Sequence, residues 1–259
     1  MIYLKNKQQI NAMRIAGGIL YEVNCRLKEV IKPGMTTAEL DVYAEQLIRK
    51  HKAIPSFLGY NGFPSSICTS VNDAVVHGIP SEKIILKSGD IISVDCGVVL
   101  DGWQADSAFT VGVGEITMEN QRLIEDTEKS FFLGAREAIS GKHIGDIGYA
   151  IQKYTESKGY GVIRVLTGHG IGRSLHEDPS VPNYGRPGHG MKLRAGMTIA
   201  VEPMITLGGY QVVELDDDWT IVTKDGSFCS HYEHTMAINE EGYPELLTLP
   251  GYVFEEQVL

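Results

Sequence analysis

The sequence predicts an α/β (α+β) fold made of two related halves. Helical-period segments open each half of the 259 residues. β-branched runs follow them, one pair meeting at a hairpin signal. A weak echo of the first half also recurs in the second at a constant offset of 107 residues, from Gly34 to Gly141.

Asn6-x-x-Gln9 has the pattern of a capping box. After it, Ile10, Met13, Gly17, Leu20, Val23 and Leu27 recur at helical spacing as far as Val30. Pro33-Gly34 stops that helix, and Thr36-x-x-Glu39 opens a second with Leu40, Ala44 and Leu47 on one face. Residues 55–65 read as a loop. Two β-branched runs, Ile91 to Val99 and Gln104 to Val111, flank Asp101-Gly102 and predict a hairpin. Folding there sets Asp95 opposite Asp106 to within a residue or two, with a bulge absorbing the remainder. Residues 118–139 read as a third helix, with Leu123, Thr127 and Phe131 on one stripe. A fourth begins near Gly145-Asp146 and runs through Ile147, Ala150, Ile151 and Tyr154. Thr198-Ile-Ala-Val and Thr235-Met-Ala-Ile read as strands, and the Gly/Pro-rich stretches 168–190 and 207–210 as loops. Without a long linker or low-complexity segment, residues 1–259 are expected to form a single domain, with halves of roughly 1–112 and 113–259.

The offset that pairs Gly34 with Gly141 also pairs Glu39 with Asp146 and Leu40 with Ile147. It aligns Gly89-Asp-Ile-Ile-Ser-Val-Asp95 with Gly196-Met-Thr-Ile-Ala-Val-Glu202. Asp95 and Glu202 therefore hold equivalent places, which puts a shared site on a pseudo-twofold axis between the halves.

A composition of 43% hydrophobic and 22% charged residues is that of an ordinary globular protein. The net charge of -10 argues against a DNA- or RNA-binding surface. No apolar run approaches the ~20 residues that span a bilayer, and the N-terminus lacks a signal-peptide core. The four cysteines, Cys25, Cys68, Cys96 and Cys229, show no CxxC spacing and read as reduced thiols. A cytoplasmic protein is the expectation.

Asp95, Asp106, His169, Glu202 and Glu233 each occupy a setting that suits a metal ligand. Four carboxylates and one imidazole carry more negative charge than one place holds without cations, and two divalent ions would balance it. Asp95 and Asp106 sit in apolar strands, where an uncompensated carboxylate is costly. Glu202 lies between Ile-Ala-Val and Pro203. Glu233, in Ser-His-Tyr-Glu-His-Thr, has the commoner alternative of a strand glutamate facing water. His169 is flanked by glycines in Thr-Gly-His-Gly-Ile-Gly, which remove side chains and permit unusual backbone angles. His176-Glu-Asp-Pro is not an HExxH helix, because the second histidine is missing and Pro179 breaks the helix. His77, in Val-Val-His-Gly-Ile-Pro, sits where a strand ends at a glycine. There is no GxSxG elbow, P-loop or GxGxxG after a strand.

These residues together resemble the type I methionine aminopeptidases, the short bacterial kind of the pita-bread metallopeptidases. The resemblance rests on Val71-Asn-Asp-Ala-Val-Val-His-Gly-Ile-Pro80, Asp95-Cys-Gly, Ala105-Asp-Ser-Ala, Gly168-His-Gly-Ile-Gly-Arg-Ser-Leu-His-Glu-Asp-Pro179, Val201-Glu-Pro-Met and Tyr232-Glu-His-Thr. These strings stand in the family's order along nearly the whole chain. The resemblance implies a curved antiparallel sheet backed by helices, with internal pseudo-twofold symmetry. It implies the metal ligands Asp95, Asp106, His169, Glu202 and Glu233, holding two divalent ions (Co, Mn, Fe or Zn). It also implies His77 and His176 beside the reacting bond, with Glu202 moving the proton. Its methionine pocket falls on Tyr60, Phe63, Cys68, Leu175 and Trp219, with Phe57 at the mouth. Phe57, Phe63 and Leu175 depart from the commonest bacterial pattern, which touches fine selectivity. Carbonyls near Asn72, Ala74 and Cys229 would hold a monovalent cation.

The implied activity is removal of the N-terminal methionine from peptides and nascent chains, at the ribosome or after it, when the second residue is small. A monomer is implied. Xaa-Pro peptidases share the five ligands but usually carry an additional N-terminal domain, whereas this chain begins almost directly with the first helix. A non-catalytic binding module of the same fold would have lost ligands, and all five are present here.

Overall fold

The computed structural model describes residues 2–255. Helix α1 (Lys7–Val30) starts from the expected box: Asn6 and Gln9 each accept the other's main-chain N–H at 2.9 Å. Helix α2 (Thr37–Lys50) starts the same way from Thr36 and Glu39. Helix α3 (Met118–Ala135) ends four residues before the expected Ile139. Beyond Ala135 the chain tightens into turns, in which Glu137 N–H donates to Gly134 O and Ala138 N–H to Ala135 O. Helix α4 (Ile144–Ser157) is capped through His143 and Asp146.

The first half carries β1 (Ile54–Pro55), β2 (Ile67–Val71), β3 (Ala74–Val76), β4 (Ile91–Leu100) and β5 (Trp103–Gly112). The second carries β6 (Gly161–Val162), β7 (Gly168–Gly170), β8 (Glu177–Val181), β9 (Thr198–Val201) and β10 (Met204–Thr206). It continues with β11 (Val212–Glu214), β12 (Ile221–Thr223), β13 (Cys229–His231), β14 (His234–Ala237) and β15 (Glu245–Leu246). The pairings are antiparallel: β4 pairs with β1, β2 and β5, and the longest second-half sheet runs β15-β14-β9-β7-β8.

The β4–β5 turn has positive φ at both central residues, Asp101 (51°) and Gly102 (76°), the requirement of a two-residue hairpin. Its register is continuous from Leu100↔Trp103 to Ile91↔Gly112, so the expected bulge is absent. Asp95 pairs with Ala108 and Asp106 with Gly97, an offset of two residues. An even offset keeps both carboxylates on one sheet face, which makes a bulge unnecessary.

The stretch 168–190, read as a loop, contains β7 and β8. The two glycines that flank His169 serve close packing rather than unusual angles. A Cβ on Gly168 would lie 2.3 Å from Ala200 O, and one on Gly170 would lie 2.1 Å from Asp178 O. Pro179 is tolerated because β8 is the edge strand of its sheet.

The repeat is visible in the main chain. Gly34 N–H donates to Leu86 O at 2.8 Å, and 107 residues on Gly141 N–H donates to Leu193 O at 2.9 Å. Bridges Thr36↔Ile85 and His143↔Lys192 follow the same offset. Each half has its own apolar core. Leu20, Val23 and Leu27 of α1 and Leu40 and Ala44 of α2 pack on Ile92, Val94, Cys96 and Val98 of β4. Leu123 and Phe131 of α3 and Ile147 and Ile151 of α4 join Ile199, Val201 and Met236. Strand alternation does the rest: even residues of β4 face the helices, so Asp95 faces the other way. In β9, Ile199 and Val201 face the helices and Glu202 does not.

Two adjacent glycines of α1 test this packing. Alanine in a helix interior gains about 1 kcal/mol over glycine. A Cβ on Gly18 meets nothing within 4 Å, whereas one on Gly17 would lie 2.1 Å from Leu247 O. Overpacking costs about 1–3 kcal/mol and backbone cannot step aside cheaply. Gly18→Ala should therefore raise the urea midpoint and Gly17→Ala lower it. Equal shifts would contradict the described helix seat.

Candidate metal centre

All five expected ligands converge between the two sheets. Asp106, His169 and Glu233 are buried and place ligand atoms within 4.8 Å of one another. His169 Nε2 lies 3.7 Å from Asp106 Oδ2 and 3.8 Å from Glu202 Oε1. His169 Nδ1 is 2.8 Å from Gly170 O, which fixes the ring and leaves Nε2 toward the carboxylates. Asp95 joins through the β4–β5 diagonal.

The carboxylates are seated by contacts that cross between the halves. Ala108 and Glu233 exchange main-chain hydrogen bonds at 3.2 and 3.0 Å. Thr235 Oγ1 accepts the Asp106 N–H at 3.0 Å and donates to Asp106 O at 2.8 Å. Glu202 O accepts from the buried Asn183 side chain at 2.8 Å. Thr235 and Asn183 carry no sequence mark of this role, because neither a hydroxyl nor an amide is unusual in a strand or loop.

The electrostatics fit divalent cations. Burial, then the neighbouring Asp95 and Glu202 charges, pushes the Asp106 carboxyl up. Glu233 is raised by burial and by Asp106, Glu202 and Asp95, and Glu202 by burial and Asp95. Burial raises Asp95 to about 7. Asp95 Oδ1, Asp106 Oδ1 and Glu233 Oε1 are buried without hydrogen-bond partners. Such groups are stable when a metal takes them. Burial and the nearby His176 lower His169 to about 4, leaving a neutral imidazole suited to ligation.

The sequence reading missed His231. It is 1% exposed, and Nε2 lies 3.7 Å from Glu202 Oε2 and 3.8 Å from Glu233 Oε2. Its spacing of two from Glu233 was the available signal, since strand neighbours at that spacing share a face.

A cavity of about 270 Å³ opens onto the cluster. Its lining includes every residue expected for the pocket: Phe57, Tyr60, Phe63, Cys68, Leu175 and Trp219, together with His77 and His176. Phe63 meets Trp219 edge-on with ring centroids 5.0 Å apart, and the His77 ring is also edge-on to Trp219 at 6.3 Å. Tyr60 Oη is 2.8 Å from His176 Nδ1, and the His176 and His169 rings are 4.2 Å apart. His77 holds a left-handed φ of 58°, directly after β3. Burial raises the Cys68 thiol well above its usual range, so it is a wall rather than a nucleophile. The four cysteines are free thiols. Among the described residues, no helix is long and apolar enough to cross a membrane.

The raised carboxylates set a pH dependence for the metal-free protein. A group with a folded pKa above its unfolded value stabilises at low pH, and that stability is lost as pH rises through the folded pKa. Asp95, Asp106, Glu202 and Glu233 all act in that sense, Asp95 through about 7. His169 and His231, lowered to about 4 and about 3, act oppositely, but their effect is complete by about pH 6.5. Above that pH only the carboxylate effect remains. Chelator-treated protein should lose melting temperature from about pH 6.5 to 8.5, by roughly 2–4 °C per kcal/mol. Glu233→Gln should raise the melting temperature at the upper end and flatten the slope. A divalent ion should abolish the fall, and a Glu233→Gln variant that melts lower at high pH without metal would contradict this account.

Comparison with known proteins places this geometry. The sequence pattern of metallopeptidase family M24 matches residues 11–240. The chain is 55% identical to a methionine aminopeptidase of Clostridium acetobutylicum, over 96% of this chain and 99% of that one. It is 48% identical to methionine aminopeptidase 1 of Bacillus subtilis, over 96% and 99%. The crystal structure of methionine aminopeptidase from Rickettsia prowazekii superposes with a TM-score of 0.94 at 42% identity, covering 96% of this chain and 100% of that one. An Xaa-Pro dipeptidase from Bacillus anthracis shares the fold alone, with a TM-score of 0.76 at 23% identity, and this chain spans 63% of it. With a family pattern that matches most of its length and relatives about half identical over nearly all of it, the chain belongs to metallopeptidase family M24.

Proposed function

We propose that this chain is a dinuclear-metal aminopeptidase that removes the N-terminal methionine from peptides and nascent proteins whose second residue is small. One observation carries the reading: a small apolar cavity ends on four carboxylates and an imidazole. At about 270 Å³ it lies below the usual range for drug-sized ligands, about 300–1,000 Å³, and suits one side chain and its adjoining backbone.

Asp95, Asp106, His169, Glu202 and Glu233 would together hold the two ions, Asp106 and Glu233 from the middle of the cluster, Asp95 from one end, and His169 and Glu202 from the other. When bound, the ions polarise the scissile carbonyl and lower the pKa of water. Glu202 is raised by burial, so it can take a proton from water and return it to the leaving amine, a role worth roughly 10²–10⁴-fold. Tyr60 Oη lies 2.8 Å from His176 Nδ1, and in the tautomer that accepts the Tyr60 hydroxyl there the His176 proton is on Nε2. Burial keeps that ring neutral, and its Nε2–H donates to the oxyanion of the substrate. His77 bonds the substrate amide near the leaving nitrogen. Phe63, Cys68, Leu175 and Trp219 enclose the methionine side chain, Tyr60 adds its ring, and Phe57 stands at the mouth. The free α-amine is held on the Asp95 side, which confines cleavage to the first residue.

The ions belong to the set Co, Mn, Fe and Zn, which oxygen-rich sites with imidazole accept. The carbonyls of Asn72, Ala74 and Cys229 would hold a monovalent cation. Asn72 has a positive φ of 57° and its carbonyl accepts the Cys229 N–H at 2.8 Å, so these segments lie side by side, which supports the reading. A cytoplasmic monomer acting on chains at or after the ribosome is the setting we propose.

Metal-loaded protein should hydrolyse Met-Ala-Ser and leave its α-acetylated form, Met-Lys-Ser and an Xaa-Pro peptide essentially uncut. Cleavage of the acetylated peptide would defeat the amine requirement, and preference for Xaa-Pro would reassign the activity. His176→Ala should cut kcat by roughly 10²–10³ with metal content unchanged. Loss of metal in that variant would instead make His176 a ligand.

A further inference from the structure

We propose that His231 is a sixth ligand of the metal centre, adding a second imidazole on the Glu202 oxygen that His169 does not face. The inference rests on the dinuclear reading above and extends it to a residue outside the five expected ligands.

Two buried histidines in the same segment make the contrast. His234 is a core histidine with both ring nitrogens bonded: Nδ1 to Thr248 Oγ1 at 2.8 Å and Nε2 to Tyr232 Oη at 3.1 Å. His231 is buried at least as deeply, yet neither nitrogen has a hydrogen-bond partner. Its Nε2 points instead into the carboxylates, 3.7 Å from Glu202 Oε2 and 3.8 Å from Glu233 Oε2. Those separations match the 3.7 and 3.8 Å from His169 Nε2 to Asp106 Oδ2 and Glu202 Oε1.

They are too long for hydrogen bonds. They suit two ligands of one ion, since metal–donor bonds of about 2.0–2.2 Å span up to roughly 4.2 Å between donors. Glu202, His231 and Glu233 place ligand atoms within 4.8 Å of one another, a second group overlapping the one around His169.

The main chain that carries the ring is firmly held. The His231 N–H donates to Thr110 Oγ1 at 3.0 Å and to Ser93 Oγ at 3.3 Å, and its carbonyl accepts from Thr110 Oγ1 at 2.8 Å. Main-chain pairing of His231 with Met204 fixes the other side. A ligand on rigid strand loses little freedom on binding an ion. Unlike His169, whose Nδ1 bonds Gly170 O, His231 Nδ1 has no orienting acceptor, so His169 is the stronger nitrogen ligand. A second imidazole shifts the donor set away from hard oxygen ions such as Mn and toward Fe, Co and Zn.

The test counts coordinated imidazoles directly. In protein loaded with two equivalents of Co(II), each ligating histidine gives one strongly shifted, exchangeable ring N–H resonance in the proton spectrum. The wild type should show two, His231→Gln one, and His169→Gln the other. Calorimetric titration of His231→Gln with Co(II) should show weaker binding by roughly tenfold or more. The wild-type count decides by itself, whatever the variants' stability. Two bound ions with a single shifted N–H overturn the His231 assignment and leave the dinuclear reading standing. Failure of the wild type to bind Co(II) overturns both.

Discussion

Repulsion among four clustered carboxylates, two buried and two largely covered, is the constraint that the rest of the structure answers. Such a cluster raises the pKa of each member and leaves oxygen atoms without partners. The apo fold tolerates it because each half brings an apolar core of its own, and those cores sit on the sheet faces turned away from the cluster. Stability is supplied behind the strands and function in front of them. The alternation of a strand, two residues per repeat, makes that division sharp. A cation held there would convert the most costly part of the interior into its most strongly held part.

Much of this was legible in the chain because it depends on local rules. The Asn6/Gln9 and Thr36/Glu39 boxes mark helix starts, and Asp101-Gly102 marks the hairpin, since each is a short-range steric or hydrogen-bonding fact. The placing of Asp95 near Asp106, two residues off a direct pair, followed from that turn alone, without the expected bulge. The strands at Gly168 and Glu177 were not legible. Glycine and proline report a turn when nothing else is known, and only the close approach of Ala200 and Asp178 shows why glycine is needed. Helix α3 was read too long because Ala138 and Ile139 are apolar whether the chain is a helix or a buried turn.

The site divides the same way. Carboxylates in apolar strands announce themselves by their cost. Phe57, Tyr60, Phe63, Cys68, Leu175 and Trp219 do not, because they arrive from separate segments with no shared period, and only the family likeness gathers them. His231 stayed unseen for a different reason. A histidine in a strand is unremarkable until both of its nitrogens are known to be unpaired. The 107-residue offset carries a parallel lesson: Asp95 and Glu202 hold equivalent places in it, but of the two it is Glu202 that has imidazoles facing both oxygens. Symmetry of backbone has been kept while symmetry of chemistry has been lost.

The row of hydrogen bonds from β5 to the segment around Glu233 has a mechanical meaning. Asp106, Ala108 and Thr110 on one side grip Thr235, Glu233 and His231 on the other, through main chain and hydroxyls alike. The two halves are stitched together at the place where, in many two-lobed enzymes, a hinge would open. On the proposed reading, substrate would enter a mouth framed by this seam, and discrimination against a bulky second residue would be a matter of fixed walls rather than of a closing jaw.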